Sequence, residues 1–337
     1  MIPQRLLGLG LKQLRKVAGK DSGLELALKE RYRRRKKSRS RKRVGPTFIQ
    51  HGGENFVLIQ SRGDPEPRVG ILVRGGCDLP SAFAAAPFIA PQVRGTVAIF
   101  KQGTGGELGA HRSDQILQTL NTIPGPATEE VRRRLRLEEH YFSPRLFEEK
   151  EFTIDGFPQF GAFPSSVVVL SIGSDLVRVV YRHRRDGYLI DPGGFWLGQL
   201  TDRVLPDPSI ARWFKESFQS IGRIGVEDFQ ANLEQVIRLI RDRIGAHVIM
   251  YNTLVVDPGN ETHNYQLLER VHVVRRRQFN LALGELSARL DFHVVDIDRI
   301  LKEQGVQAQV DFAHVPFSQM APIGQEFHRI LKELEVV

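Results

Sequence analysis

Short apolar runs recur along most of the chain, separated by longer stretches in which apolar residues return at helical spacing. NFVLI (55–59), VGILV (69–73) and GTVAIF (95–100) predict strands, with turn-rich stretches such as SRGDPEP and KQGTGGELG between them. VVVLSI (167–172), HVIMY (247–251) and FHVVDI (292–297) are mostly apolar and rich in β-branched residues, the pattern of strands covered on both faces. Between these runs lie helix patterns. In GVEDFQANLEQVIRLIRDRIG the residues Phe229, Leu233, Val236, Ile237, Ile240 and Ile244 share one face, and Gly245 is placed to stop the helix. A second helix carries Phe279, Leu283, Leu286 and Leu290. TEEVRRRLRLEEHYF, with Glu129 and Glu130 early, is the helical candidate of the N-terminal half.

Strands alternating with helices imply parallel βαβ units and a three-layer α/β/α sandwich over 165–337. The more mixed signals of 45–164 predict a smaller α/β or β-rich domain, and residues 1–44 an amphipathic and then basic tail. VVVLSI is read as the first strand of the C-terminal domain.

Composition narrows the field. At 337 residues and 41% hydrophobic content the chain can bury a sizeable core. The net charge of +9 is concentrated between Lys29 and Arg43, where eleven Lys or Arg face one Glu; that segment's +10 leaves the remainder at −1. The folded part therefore carries no charge signature of a polyanion partner, whereas residues 29–43 could meet an anionic surface. A single cysteine, Cys77, excludes an internal disulfide and a thiolate metal cluster. No run of about 18 apolar residues suggests a membrane span, and the start lacks a secretory pattern, so a cytoplasmic location is expected. The spacing of His183, His247, His272 and His293 matches no metal motif; neither metal nor cofactor is expected.

In parallel sheets ligands sit beyond the carboxyl ends of the strands, so polar residues that follow the apolar runs are candidates. VVVLSIGSDLVRVV places Gly173 and Ser174 directly after a strand and before a helix. A hydroxyl there can act as nucleophile with its own amide facing a developing oxyanion, or it can simply cap the helix. Near the C-terminus, Asp311 stands three residues before His314, a spacing that lets a carboxylate orient an imidazole. VGILVRGGCDLPSAF (69–83) echoes the Ser174 segment, with Cys77 after the glycines either as a reactive thiol or as a buried structural one.

Ser174 after a strand, followed late in the chain by Asp-x-x-His, resembles the SGNH/GDSL hydrolase family over about residues 165–335. That family places its serine in a first block after strand one and its Asp-x-x-His in the last block. The resemblance implies a flavodoxin-like sandwich and acyl-enzyme chemistry on an O-acyl ester, with a carbohydrate ester as the expected substrate, by an esterase or acyltransferase. By it Ser174 is nucleophile, His314 base and Asp311 its orienting carboxylate. Gly194 or Gly193, in DPGGFW, and Asn252, which ends HVIMYN, stand for the family's remaining oxyanion donors; its G-x-N-D motif is absent. His263 and Asn264 could contact substrate or form a surface turn, and Trp196 could wall the substrate or pack in the core. The rival functions are a non-catalytic binding protein that keeps the fold, and a polyanion- or membrane-associated protein led by its tail.

Overall fold

The computed structural model describes residues 45–51, 54–61, 64, 66–75, 79, 81–101, 109–138, 140–144, 163–193, 205, 207–255, 270–305 and 317–337. The basic tail lies outside them. Seven strands form one sheet: β1 (Thr47–His51), β2 (Glu54–Gln60), β3 (Pro67–Arg74), β4 (Thr96–Lys101), β5 (Ser165–Ser171), β9 (His247–Tyr251) and β10 (His293–Val295). Their order is β1-β2-β4-β3-β5-β9-β10, parallel from β4 to β10, with β1 and β2 added antiparallel beside β4. The fold is therefore α/β with a mostly parallel sheet, as the alternation of strand and helix patterns predicts.

Two expectations change. β3 pairs with β5, Val69 opposite Ser165 through Arg74 opposite Leu170, so the expected boundary at 164/165 falls inside one sheet. The apolar runs on either side of that boundary are each too short to cover themselves, and they complete one another. VVVLSI, read as a first strand, is consequently the third of five parallel strands, after β3 and β4.

Alternate residues of the central strands face two cores. Val167, Val169, Ile249 and Tyr251 meet α1 (Ser81–Ala84), α2 (Ala86–Ile89), α9 (Ile297–Glu303) and α10 (Met320–Glu333). Val168, Leu170, Val248 and Met250 meet α3 (Ser113–Asn121), α5 (Gly173–Val177), α7 (Val226–Ile244) and α8 (Arg270–Leu290). Burial on both faces explains why these strands read as unbroken apolar runs. α7 buries Phe229, Leu233, Val236, Ile237 and Ile240, carries Glu227 and Asp228 in its first turn, and stops where Gly245 adopts φ 69°.

A third, smaller core joins α4 (Pro126–Leu135), α6 (Pro208–Ser217) and the antiparallel sheet β7-β6-β8, formed by β6 (Val180–His183), β7 (Leu189–Ile190) and β8 (Phe218–Gly222). α4 ends earlier than its sequence pattern, at Arg136, which is left-handed with φ 51°. β10 is also shorter than FHVVDI: the Asp296 side chain accepts from the Arg299 amide and starts α9 instead.

Candidate active site

The chain leaves β3 for β4 on one side and then returns to β5 on the other, so the order reverses between β3 and β5. The crevice beyond their carboxyl ends is where a sheet of this kind takes a ligand. Gly75 continues β3 there, and its Cα lies so close to β5 that a Cβ would stand 2.8 Å from the Ser171 hydroxyl. That hydroxyl is buried and has no hydrogen-bond partner among the described residues. On the β5 side the strand end is held by the Ile172 amide, which donates to the Tyr251 carbonyl at 3.2 Å.

Ser174 is the second residue of α5 and 4% exposed. It does not cap that helix, since the cap position is Ile172 and no side chain serves it. Its neighbour Asp175 is buried, and one carboxylate oxygen accepts from both the amide (2.8 Å) and the hydroxyl (2.6 Å) of Ser113 at the start of α3. Burial pushes the Asp175 carboxyl up to about 7 against the pull of the two Ser113 bonds; Asp114 adds to the rise and Arg112 opposes it.

Two arginines grip the same turn by its carbonyls. Arg275 donates to Leu176 at 2.9 Å, to Asp175 at 2.7 Å and to Ile224 at 2.7 Å, with its guanidinium 4.3 Å from the Phe279 ring centre. Burial draws its pKa down to about 10. Arg112 donates to Arg178 at 3.2 Å and to Gly222 at 2.8 Å while its other nitrogens hold Asp114. A cleft of about 730 Å³ opens beside Arg112 and Ile224, with Gln118, Arg182, Arg223 and Asn232 in its walls.

Two of the expected oxyanion donors, Asn252 and Gly193, already hold other partners. Asn252 donates from its side chain to Asp296 at 2.7 Å and accepts from the Asp298 amide at 3.3 Å, joining the end of β9 to α9. The Gly193 amide donates to Asp191 at 2.8 Å, and Asp191 in turn pairs with Arg178. Asp311, His314, Gly194, Trp196, His263, Asn264 and Cys77 lie outside the described residues. Among the described residues no cluster of His, Cys, Asp or Glu is arranged to hold a metal, and no helix is long and apolar enough to cross a membrane.

Sequence reasoning missed Ser113, Arg112, Arg275 and Ser171, because their roles depend on partners 50 to 110 residues away or, for Ser171, on a missing partner. The one local signal was Asp175, an acidic residue directly after an apolar run and a candidate nucleophile.

No family model matches the sequence, and no curated protein matches it. Similar solved structures include a lipase/acylhydrolase from Enterococcus faecalis, 14% identical with a TM-score of 0.41, the match covering 79% of this chain and 96% of that one. A phospholipase A1 from Streptomyces albidoflavus is 12% identical with a TM-score of 0.38, over 80% of this chain and 99% of its own. An extracellular lipase from Streptomyces rimosus is 10% identical with a TM-score of 0.32, over 74% and 86%.

Proposed function

We propose that the chain is an ester hydrolase that works through an acyl-enzyme in the crevice beyond β3 and β5, with His314 as the base. The observation that carries this reading is the reversal of strand order there, flanked by two segments that bear a nucleophile type: Gly75-Gly76-Cys77 after β3 and Gly173-Ser174 after β5. In the first form of the reading the Ser174 oxygen bonds to the acyl carbon and its proton passes to His314. Collapse of the tetrahedral adduct expels the alcohol, which takes that proton. Water, or a sugar hydroxyl if the enzyme is an acyltransferase, then attacks the acyl-enzyme and restores Ser174. Asp311 orients His314, and the Ser174 amide with Gly194 receives the oxyanion; Gly193 can take the place of Gly194 only by giving up its bond to Asp191. Asn252 can join them only with the amide hydrogen that Asp296 leaves over. The acyl group is that of an O-acyl ester, with a carbohydrate as its alcohol part. His263, Asn264 and Trp196 would contact it.

A second form takes Cys77 as the nucleophile, and helix packing favours it. α10, which follows the Asp311 and His314 segment, packs on α1, which follows Cys77; a Cβ on Gly324 would meet the Ala85 amide at 2.9 Å. α5, which carries Ser174, packs on the opposite face of the sheet. Moreover β3, and not β5, is the first strand of the parallel run, the place after which the resembled family sets its nucleophile. A thiolate performs the same addition and expulsion, its proton having already gone to the base.

Labelling decides between the forms. Wild type, Ser174→Ala and Cys77→Ala are each treated with a fluorophosphonate and with iodoacetamide, and hydrolysis of a short-chain aryl ester is followed. Loss of turnover and of fluorophosphonate labelling only in Ser174→Ala supports the first form. Loss of turnover only in Cys77→Ala, with iodoacetamide inactivating wild type, supports the second. Turnover that survives both substitutions overturns the reading.

A further inference from the structure

We propose that Asp175 is a positioning residue of this site, holding the turn that carries Ser174 through its clasp on Ser113. The proposal rests on the reading that this turn borders the reacting groups. α5 has only five residues, too few to be stable by its own hydrogen bonds, so its shape must be set from outside. Five hydrogen bonds from outside the helix set it. The Asp175 carboxylate takes the Ser113 amide and hydroxyl, Arg275 takes the carbonyls of Asp175 and Leu176, and Arg112 takes that of Arg178.

Of these ties only the clasp uses a carboxylate with no arginine or lysine in a salt bridge with it among the described residues, in a place where burial penalises its charge. A buried acid is a poor choice for stability alone, because an apolar residue of similar size would avoid the penalty. What the acid adds is direction. Two donors converge on one oxygen, so the turn is fixed in rotation as well as in place, and Ser174 stands one residue before the fixed point. The clasp also joins α3, which follows β4, to the end of β5 across the β3 position. A shift of α3 is thereby passed to the crevice.

The test measures kcat and KM for the aryl ester, per folded molecule and well below the melting temperature, in Asp175→Ala, Ser113→Ala, the double variant and Ser113→Thr. The clasp predicts kcat lowered by about 10-fold or more in each single Ala variant with KM nearly unchanged, since misplacement by about an ångström is costly to rate. The double variant should be no worse than the poorer single, because the two residues act as one unit. Ser113→Thr, which keeps the hydroxyl, should recover most of the loss. Asp175→Asn serves if Asp175→Ala does not fold, since it keeps an acceptor oxygen without charge; it should retain more activity than Ser113→Ala. Wild-type kcat in the folded single variants, or losses that multiply in the double, overturns the proposal. If the wild-type protein itself hydrolyses no ester and takes neither label, the functional reading fails and the clasp's role falls with it.

Discussion

The guanidinium of Arg74 and the carboxylate of Glu138 form an ion pair whose side chains are 1% and 2% exposed, 64 residues apart in sequence. Arg74 is the last residue of β3, and it also donates to the Ala110 carbonyl at 3.1 Å, while the Ala110 amide donates to Glu138 at 3.4 Å. The pair thus ties the strand that leads toward Cys77 to the segment that opens α3. Glu138→Gln removes a buried countercharge of Arg74 and should destabilise the fold by about 3–5 kcal/mol. Arg74→Met combined with Glu138→Leu should cost clearly less, and urea midpoints of the two variants check the order.

Asp175 gives stability a pH dependence of known sign. Its carboxyl titrates at about 7 in the fold against 3.8 ordinarily, with Arg112, Asp114 and Arg275 as the charged groups facing it. The folded state therefore holds the proton more tightly than the unfolded one. The resulting stability is fully present below pH 3.8, declines as pH rises and is lost above about 7. Asp175→Asn should gain on wild type steadily across that window in thermal melts. A constant difference between the two proteins would contradict the assignment.

Asn252→Ala separates structure from chemistry. Losing its bonds to Asp296 and the Asp298 amide should cost about 1–2 kcal/mol. If its remaining amide hydrogen also serves the oxyanion, turnover per folded molecule should drop by about 10²–10³. Melting temperature and kcat read on one preparation distinguish the two contributions.

Ser171→Ala should raise stability. The hydroxyl is buried without a partner among the described residues, so its removal relieves a desolvation cost of about 1 kcal/mol. Chemical denaturation measures the gain.

The strands were legible because both faces of the sheet are buried: β2, β3, β4, β5 and β9 each lie within a residue or two of their apolar runs. β10 is shorter than its run because Ile297 resumes the apolar pattern after Asp296, while the aspartate's capping bond turns the chain into α9. Strand order was not legible at all. Pairing of β3 with β5 joins residues about 96 apart, and nothing in either run specifies its neighbour. The candidate site depends most on this order, since the sequence pattern makes Ser174 follow the first strand of a domain that begins at 165, whereas the first parallel strand is β3. Ser174 could be found from its place after an apolar run, but Ser113, Arg112 and Arg275 belong to the site only through contacts that the fold creates.

The continuity of the sheet across residue 164 has a consequence for dividing the chain. A cut between Pro144 and Phe163 leaves one fragment with a bare β3 edge and the other with a bare β5 edge, each a long apolar row of unmatched peptide groups. Neither piece can behave as an independent domain, and each alone will be prone to self-association. Together they carry complementary edges with one register, Val69 to Ser165 through Arg74 to Leu170. Co-expressed, the two fragments should therefore reassemble into a nicked protein, and a reporter split at this point would read folding of the whole sheet.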